Sequence, residues 1–150
     1  CPILPLSFYF CHKIRYKMNY WLVKSEPFVF SWEKFVKEGK AVWDGVRSYP
    51  GRKNLRAMKK GDQVLFYHSM EGQEVVGIAK VIREAYQDPT TDEDWSAVDL
   101  APVKALKKTV PLEAIRKEKK LQNIYLIRQA RLSVMPLEKE EYEHIVKMGS

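Results

Sequence analysis

A chain of 150 residues with 45% apolar side chains, 7 glycines and 8 prolines suffices for one packed domain, and its composition excludes wholesale disorder. Both cysteines, Cys1 and Cys11, precede Met18, so a disulfide framework and a thiolate zinc site are excluded for everything after it. The net charge of +7 favours an anionic partner, but Lys13, Arg15 and Lys17 lie in the first 17 residues; the remaining +4 is compatible with nucleic acid without demanding it.

Residues 1–17 place an apolar stretch ahead of basic residues, the reverse of a secretory signal. The apolar part, about ten residues, is too short to span a bilayer, and Pro2 and Pro5 oppose a helix. The expectation is a non-native or flexible extension over 1–17, with a genuine extension packed on the domain as the alternative, and a single domain over 18–150.

Asn19 to Lys24 is aromatic and β-branched and reads as a strand ended by Pro27. Ser31 caps a helix carrying Trp32, Phe35 and Val36 at helical spacing, and Gly39 stops it. A short strand at Val42-Trp43 leads into a polar loop, Asp44 to Asn54, and Leu55 to Lys59 reads as one helical turn. Gly61-Asp62 marks a turn. Gln63 to Ser69 is a strand with Val64, Phe66 and His68 on one face and Leu65, Tyr67 and Ser69 on the other.

A hairpin at Glu71-Gly72-Gln73 leads into a long strand, Glu74 to Tyr86, where Gly77 signals a bulge or a close backbone approach. After a loop from Asp88 to Asp94, Trp95 to Thr109 holds one or two strands. Pro111 suits the start of a helix reaching about Lys119. Tyr125–Arg128 and Arg131–Val134 are short strand candidates. Glu138 to Met148 is an amphipathic helix with Tyr142, Ile145 and Val146 inward and Gly149 as its stop. Five or six strands and about three helices without regular alternation favour an α+β barrel with peripheral helices over a doubly wound sheet.

The loop from Trp43 to Arg56 mixes aromatics, hydrogen-bonding side chains, glycines and bases. Base recognition uses those ingredients: aromatic faces stack, amides and hydroxyls read an edge, and cations hold phosphates. Arg47, Arg52, Lys53 and Arg56 are candidate phosphate contacts, and the competing reading is a solvated loop anchored by Trp43. Tyr67-His68-Ser69 is either a polar pocket wall or a half-buried strand end. A catalytic Ser–His pair is disfavoured because neighbouring strand residues point to opposite faces and no G-x-S-x-G elbow surrounds Ser69. Lys24-Ser25-Glu26-Pro27 is either a turn with an exposed ion pair or a pocket rim. His12, His68 and His144 lack metal spacing, Asp92-Glu93-Asp94 reads as a solvated loop run, and neither phosphate-binding glycine motif occurs. Arg116-Lys117 and Lys119-Lys120 read as an exposed helix end.

Several motifs together are specific. Tyr20-Trp21-Leu22-Val23-Lys24-Ser25-Glu26-Pro27, Trp43-Asp44-Gly45-Val46-Arg47, Met58-Lys59-Lys60-Gly61-Asp62 and Phe66-Tyr67-His68-Ser69 closely resemble the EVE domain family. Gly77-Ile78-Ala79, Tyr86-Gln87-Asp88-Pro89-Thr90, Trp95 and Arg131-Leu132-Ser133-Val134 continue the match in order, to about Met148. The resemblance implies an α+β, PUA-like β-barrel of five to six mostly antiparallel strands with peripheral short helices. It also implies a non-catalytic pocket for a modified base, modified cytosine or similar, in DNA or RNA.

By matching position the resemblance assigns that pocket to Trp21, Lys24, Ser25, Trp43, Val46, Arg47, Tyr67, His68 and Ser69, with Asp88 and Arg131 supporting. Taken with the loop's composition, the expected pocket also includes Ser48, and the expected phosphate contacts are Arg52, Lys53, Arg56 and Arg131. The family usually reads G-V-R-N-Y-Q-A-R-N where this chain has Gly45-Val46-Arg47-Ser48-Tyr49-Pro50-Gly51-Arg52-Lys53. Ser48 replaces an amide and Pro50 removes a backbone donor, changes that bear on the preferred base more than on the fold. The long basic region of eukaryotic members is missing, which points to a bacterial, cytoplasmic protein. The remaining expectations are a monomer with a nucleic-acid partner, no metal, no cofactor and no membrane. A small-molecule or nucleotide-sensing pocket is the alternative, an interaction module using only its surface is a further one, and a hydrolase at His68 and Ser69 is the least favoured.

Overall fold

The computed structural model describes residues 18–70 and 72–150, so the extension expected over 1–17 lies outside the described residues, as does Glu71 of the expected hairpin turn. The six strands among the described residues are β1 (Tyr20–Ser25), β2 (Ala41–Trp43), β3 (Gln63–His68), β4 (Glu74–Gln87), β5 (Ser96–Pro111) and β6 (Val134–Leu137). They form one sheet in the order β2-β5-β4-β3-β1-β6. Only β1 and β3 run parallel; every other pairing is antiparallel. The helices are α1 (Trp32–Glu38), α2 (Tyr49–Ala57), α3 (Leu112–Arg116), α4 (Tyr125–Arg128) and α5 (Lys139–Met148).

The fold is therefore α+β with peripheral short helices, but β2 and β6 do not pair, so the sheet does not close into the expected barrel. Helix α2 lies across the gap. Its Asn54 Nδ2 donates to the Val134 carbonyl of β6 (2.7 Å), and its Arg56 Nε donates to Ser96 Oγ of β5 (2.9 Å).

Alternation along β1 and β3 explains the layering. Trp21, Val23, Val64 and Phe66 face one apolar layer with Trp32 and Phe35 of α1 and Leu55 of α2. Leu22, Leu65 and Tyr67 face a second layer with Ile115 of α3, Leu126 of α4 and Ile145 of α5. A strand buried on both faces carries a continuous apolar run instead of an alternating one.

Ser31 caps α1 by accepting from the Lys34 N–H, and Gly39 ends it in the left-handed region at φ 80°. Gly77 serves as a close approach: a Cβ there would lie 2.5 Å from the Trp32 indole. Because both groups sit in packed surroundings, Gly77→Ala is expected to destabilise by about 1–3 kcal/mol through overpacking. The lowered urea midpoint should come with a changed Trp32 emission; an unchanged midpoint would show that the indole moves freely.

Three stretches differ from expectation, and two others only in their bounds. Asp44 to Asn54 is not all loop, because Ser48 accepts from the Gly51 N–H and caps α2. Pro50 lies in the first turn of α2, where no N–H is needed, so its missing donor costs nothing. Trp95 to Thr109 holds one strand, β5, which starts at Ser96 and runs to Pro111; the next helix, α3, ends at Arg116. Tyr125–Arg128 is helical, since a short apolar run does not distinguish helix from strand. The expected strand at Arg131–Val134 starts only at Val134, after a turn in which Leu132 N–H donates to the Gln129 carbonyl.

Candidate functional site

A cleft of about 950 Å³ opens where the parallel strands β1 and β3 end, between the 44–48 loop and the 130–133 turn. Parallel pairing puts the ends of β1 and β3 side by side: Ser25 stands opposite His68. The Ser69 N–H then donates to the Ser25 carbonyl (2.9 Å), drawing Ser69 into the cleft wall. Ser25 Oγ donates to the Phe30 carbonyl (2.6 Å), holding that turn beside the opening. Lys24 Nζ donates to the Ala130 carbonyl (2.6 Å), and the Lys24 N–H donates to the Ser133 carbonyl (2.9 Å). Burial holds the Lys24 ammonium below the usual lysine range.

The opposite wall is Trp43 and the loop after it. Trp43 packs edge-on against Phe66 at 5.7 Å and Phe30 at 6.3 Å between ring centres. Asp88, with no exposed surface, organises the loop. Its Oδ2 accepts from the Gly45 N–H and from Arg47 Nη1, both at 2.9 Å, and its Oδ1 accepts from Thr90 N and Oγ1. Arg47 Nη2 donates to Thr90 Oγ1 as well (3.0 Å). Burial alone would raise the Asp88 carboxyl. The donors from Thr90, Arg47 and Gly45 outweigh that and hold it below the usual carboxylate range. Asp44 lines the cleft with its carboxyl raised, first by desolvation and then by repulsion from Asp88. Val46 and Ser48 complete the loop wall, and they explain Gly51: a Cβ there would lie 2.6 Å from Val46 and 2.8 Å from Ser48.

Of the expected pocket residues, Lys24, Ser25, Trp43, Val46, Arg47, Ser48 and Ser69 line this cleft, with Asp88 behind it. Trp21, Tyr67 and His68 do not. Trp21 is buried, its Nε1 donating to Asp62 Oδ2 (2.9 Å). Tyr67 faces the other apolar layer, where burial raises its hydroxyl pKa. His68 Nε2 accepts from the Trp32 N–H at the start of α1 (3.0 Å), so that nitrogen carries no proton; burial lowers the pKa of the ring. His68 makes no hydrogen bond to Ser69 among the described residues.

The four candidate phosphate contacts divide. Arg52 and Arg56 pair with the exposed Asp94, at 3.4 and 2.6 Å. Lys53 is exposed on α2 and Arg131 lines the cleft. Phe30, Asp44, Met70 and Ser133 also line it and were missed from sequence. Phe30 had a legible signal, an apolar residue just before the cap Ser31. Met70 had none: it adopts φ 67°, a left-handed conformation that a non-glycine residue rarely takes. Among the described residues, no group of His, Cys, Asp or Glu side chains is placed to hold a metal, and no helix is long and apolar enough to cross a membrane.

An α+β sheet of this order, with a polar-aromatic cleft at the end of its parallel pair, defines a small PUA-like domain. The chain belongs to the EVE domain family, whose model matches residues 19–148. Thymocyte nuclear protein 1 of Mus musculus is 37% identical over 87% of this chain and 73% of its own length. A solved protein from Agrobacterium tumefaciens is 43% identical with a TM-score of 0.86, covering 88% of this chain and 93% of that one. Human THYN1, solved in complex with 5-methylcytosine-containing DNA, is 32% identical with a TM-score of 0.82, covering 88% and 98%. At the level of fold alone, a YTH domain of Zygosaccharomyces rouxii aligns with a TM-score of 0.59 at 14% identity.

Proposed function

We propose that this chain binds a modified nucleic-acid base in the cleft between the 44–48 loop and the end of β1, without catalysing a reaction on it. The observation that carries this reading is the pre-formed cleft itself, in a chain whose human relative of the same fold was solved with 5-methylcytosine-containing DNA. The wall of Trp43 and Phe30 supplies apolar surface for a base and its substituent. The Asp44 carboxylate supplies an acceptor for an exocyclic amine, which suits a cytosine-type edge. Lys24, Lys40, Arg47 and Arg131 line the cleft together with Glu26, Glu38 and Asp44, so donors and acceptors both face a bound base, and pre-organisation by Asp88 lowers the ordering cost of binding.

Titration of tryptophan fluorescence tests this, using matched oligonucleotides with unmodified, methylated or oxidised cytosine, or methylated adenine. The expected result is a preference for one modified base, most simply a cytosine derivative. Lys53→Ala should lower the salt slope of binding by about one unit while leaving that preference intact. Equal affinity for all ligands, abolished by salt, would overturn the pocket reading. Tight binding of a free modified nucleotide with no gain from flanking phosphates would favour a nucleotide-sensing pocket.

A further inference from the structure

Just outside the cleft, Tyr49 is 70% exposed, a large aromatic side chain left mostly in water. One face stacks on the half-buried Trp95, with ring centres 5.7 Å apart and an interplanar angle of 18°. The Arg52 guanidinium lies 4.9 Å from the Tyr49 ring centre and 5.2 Å from that of Trp95, and Arg47 lies 5.7 Å from Trp95. These contacts, with the Ser48 cap of α2, fix the tyrosine ring. Tyr49 follows Ser48, a cleft-lining residue, and the exposed Lys53 lies one helical turn further along α2.

We propose that Tyr49, backed by Trp95 and Arg52, is a stacking platform for a nucleotide adjacent to the one in the cleft, with Lys53 holding its phosphate. This rests on the base-binding reading of the cleft. A pillar built only for stability would account for Trp95 but not for an aromatic ring left mostly in water. Packing against Trp95 and Arg52 lowers the ordering cost of presenting the exposed part of the ring. Every base has a π-face, so the platform accepts any neighbouring base. Asp94 is shared between Arg52 and Arg56, whereas the exposed Lys53 makes no ion pair among the described residues, so Lys53 is the cation assigned to a backbone phosphate on this side. The occupant is thus a single-stranded or locally unstacked stretch of nucleic acid.

The test is fluorescence anisotropy with an unmodified, labelled single strand of about ten nucleotides, and in parallel with its modified counterpart. Tyr49→Ala should weaken binding of both strands about tenfold or more. The ratio between them should stay constant, since the platform reads no modification. Tyr49→Phe should restore binding, and the salt slope should hold in Tyr49→Ala but fall in Lys53→Ala. If Tyr49→Ala proves unstable, Tyr49→Leu keeps an apolar cover on Trp95 and takes its place. Parent-like affinity in a folded variant, or no binding of either strand by the parent, would overturn the platform. A parent that binds both strands equally refutes the cleft reading alone, and the Tyr49 comparison on the unmodified strand still decides the platform.

Discussion

Asp88→Ala is expected to lower stability by about 3 kcal/mol and to abolish binding in the cleft. The side chain is fully buried and accepts from Gly45, Arg47 and Thr90, so its removal strands donors that fix the cleft loop. Hydrogen bonds to a buried charge are worth about 1.5–3 kcal/mol each, and leaving their partners unpaired costs more than replacing the group as a whole. Arg47 has 40% of its side chain exposed and rehydrates, which keeps the total near the lower figure for a broken buried pair. For a chain of this size the loss should appear as a fall in Tm of about 10 °C.

The same carboxylate predicts a pH dependence. Its folded-state pKa lies below the unfolded value, so its contribution is complete above about pH 4 and is lost as the pH falls through the folded value. Asp88→Asn removes that titration, and its urea stability should be flatter in acid and approach the parent there. A mutant as stable as the parent at pH 7 that still binds ligand would remove Asp88 from the organising role.

Trp43→Ala should cost about 3–5 kcal/mol, the range for truncating a buried large aromatic. Strand β2 has only three residues, paired with β5 through Trp43 and Val98 at one end. Its backbone hydrogen bonds are few, so the strand is held chiefly by the packing of Trp43 on Phe66 and Phe30. Losing that packing releases β2 and, with it, the cleft wall. Trp43→Phe separates the two roles. It keeps an aromatic ring in the layer, so stability should fall by less than half as much as in Trp43→Ala, while binding weakens because the cleft wall recedes. Full stability and full affinity in Trp43→Ala would show that the residue serves neither core nor cleft.

Much of the fold and part of the site are legible in the amino-acid sequence. The strand pattern of β1 and β3, the faces carrying Phe66 and Tyr67, and the cap at Ser31 follow from period and capping chemistry, which are local properties of a few neighbouring residues. The cleft-lining set from Trp43 to Ser48 is readable for the same reason: its aromatic, glycine and cation are contiguous in the chain. The EVE motifs carry the order of the remaining elements.

What tertiary structure alone decided is which polar side chains face the cleft and which are already engaged. Trp21 and His68 read as pocket residues, yet Asp62 and the Trp32 N–H claim them from positions 41 and 36 residues away. Arg52 and Arg56 read as phosphate contacts, yet Asp94 pairs with both. The openness of the sheet and the helical state of Tyr49–Ala57 and Tyr125–Arg128 were likewise settled by packing, because short segments gain too little from local hydrogen bonds to choose a conformation. The sequence by itself thus determined the domain's class and the location of its cleft loop, since periodicity and motif order are written along the chain. Long-range hydrogen bonds and ion pairs determined the composition of the cleft, since a polar group's role depends on the partner that folding brings to it.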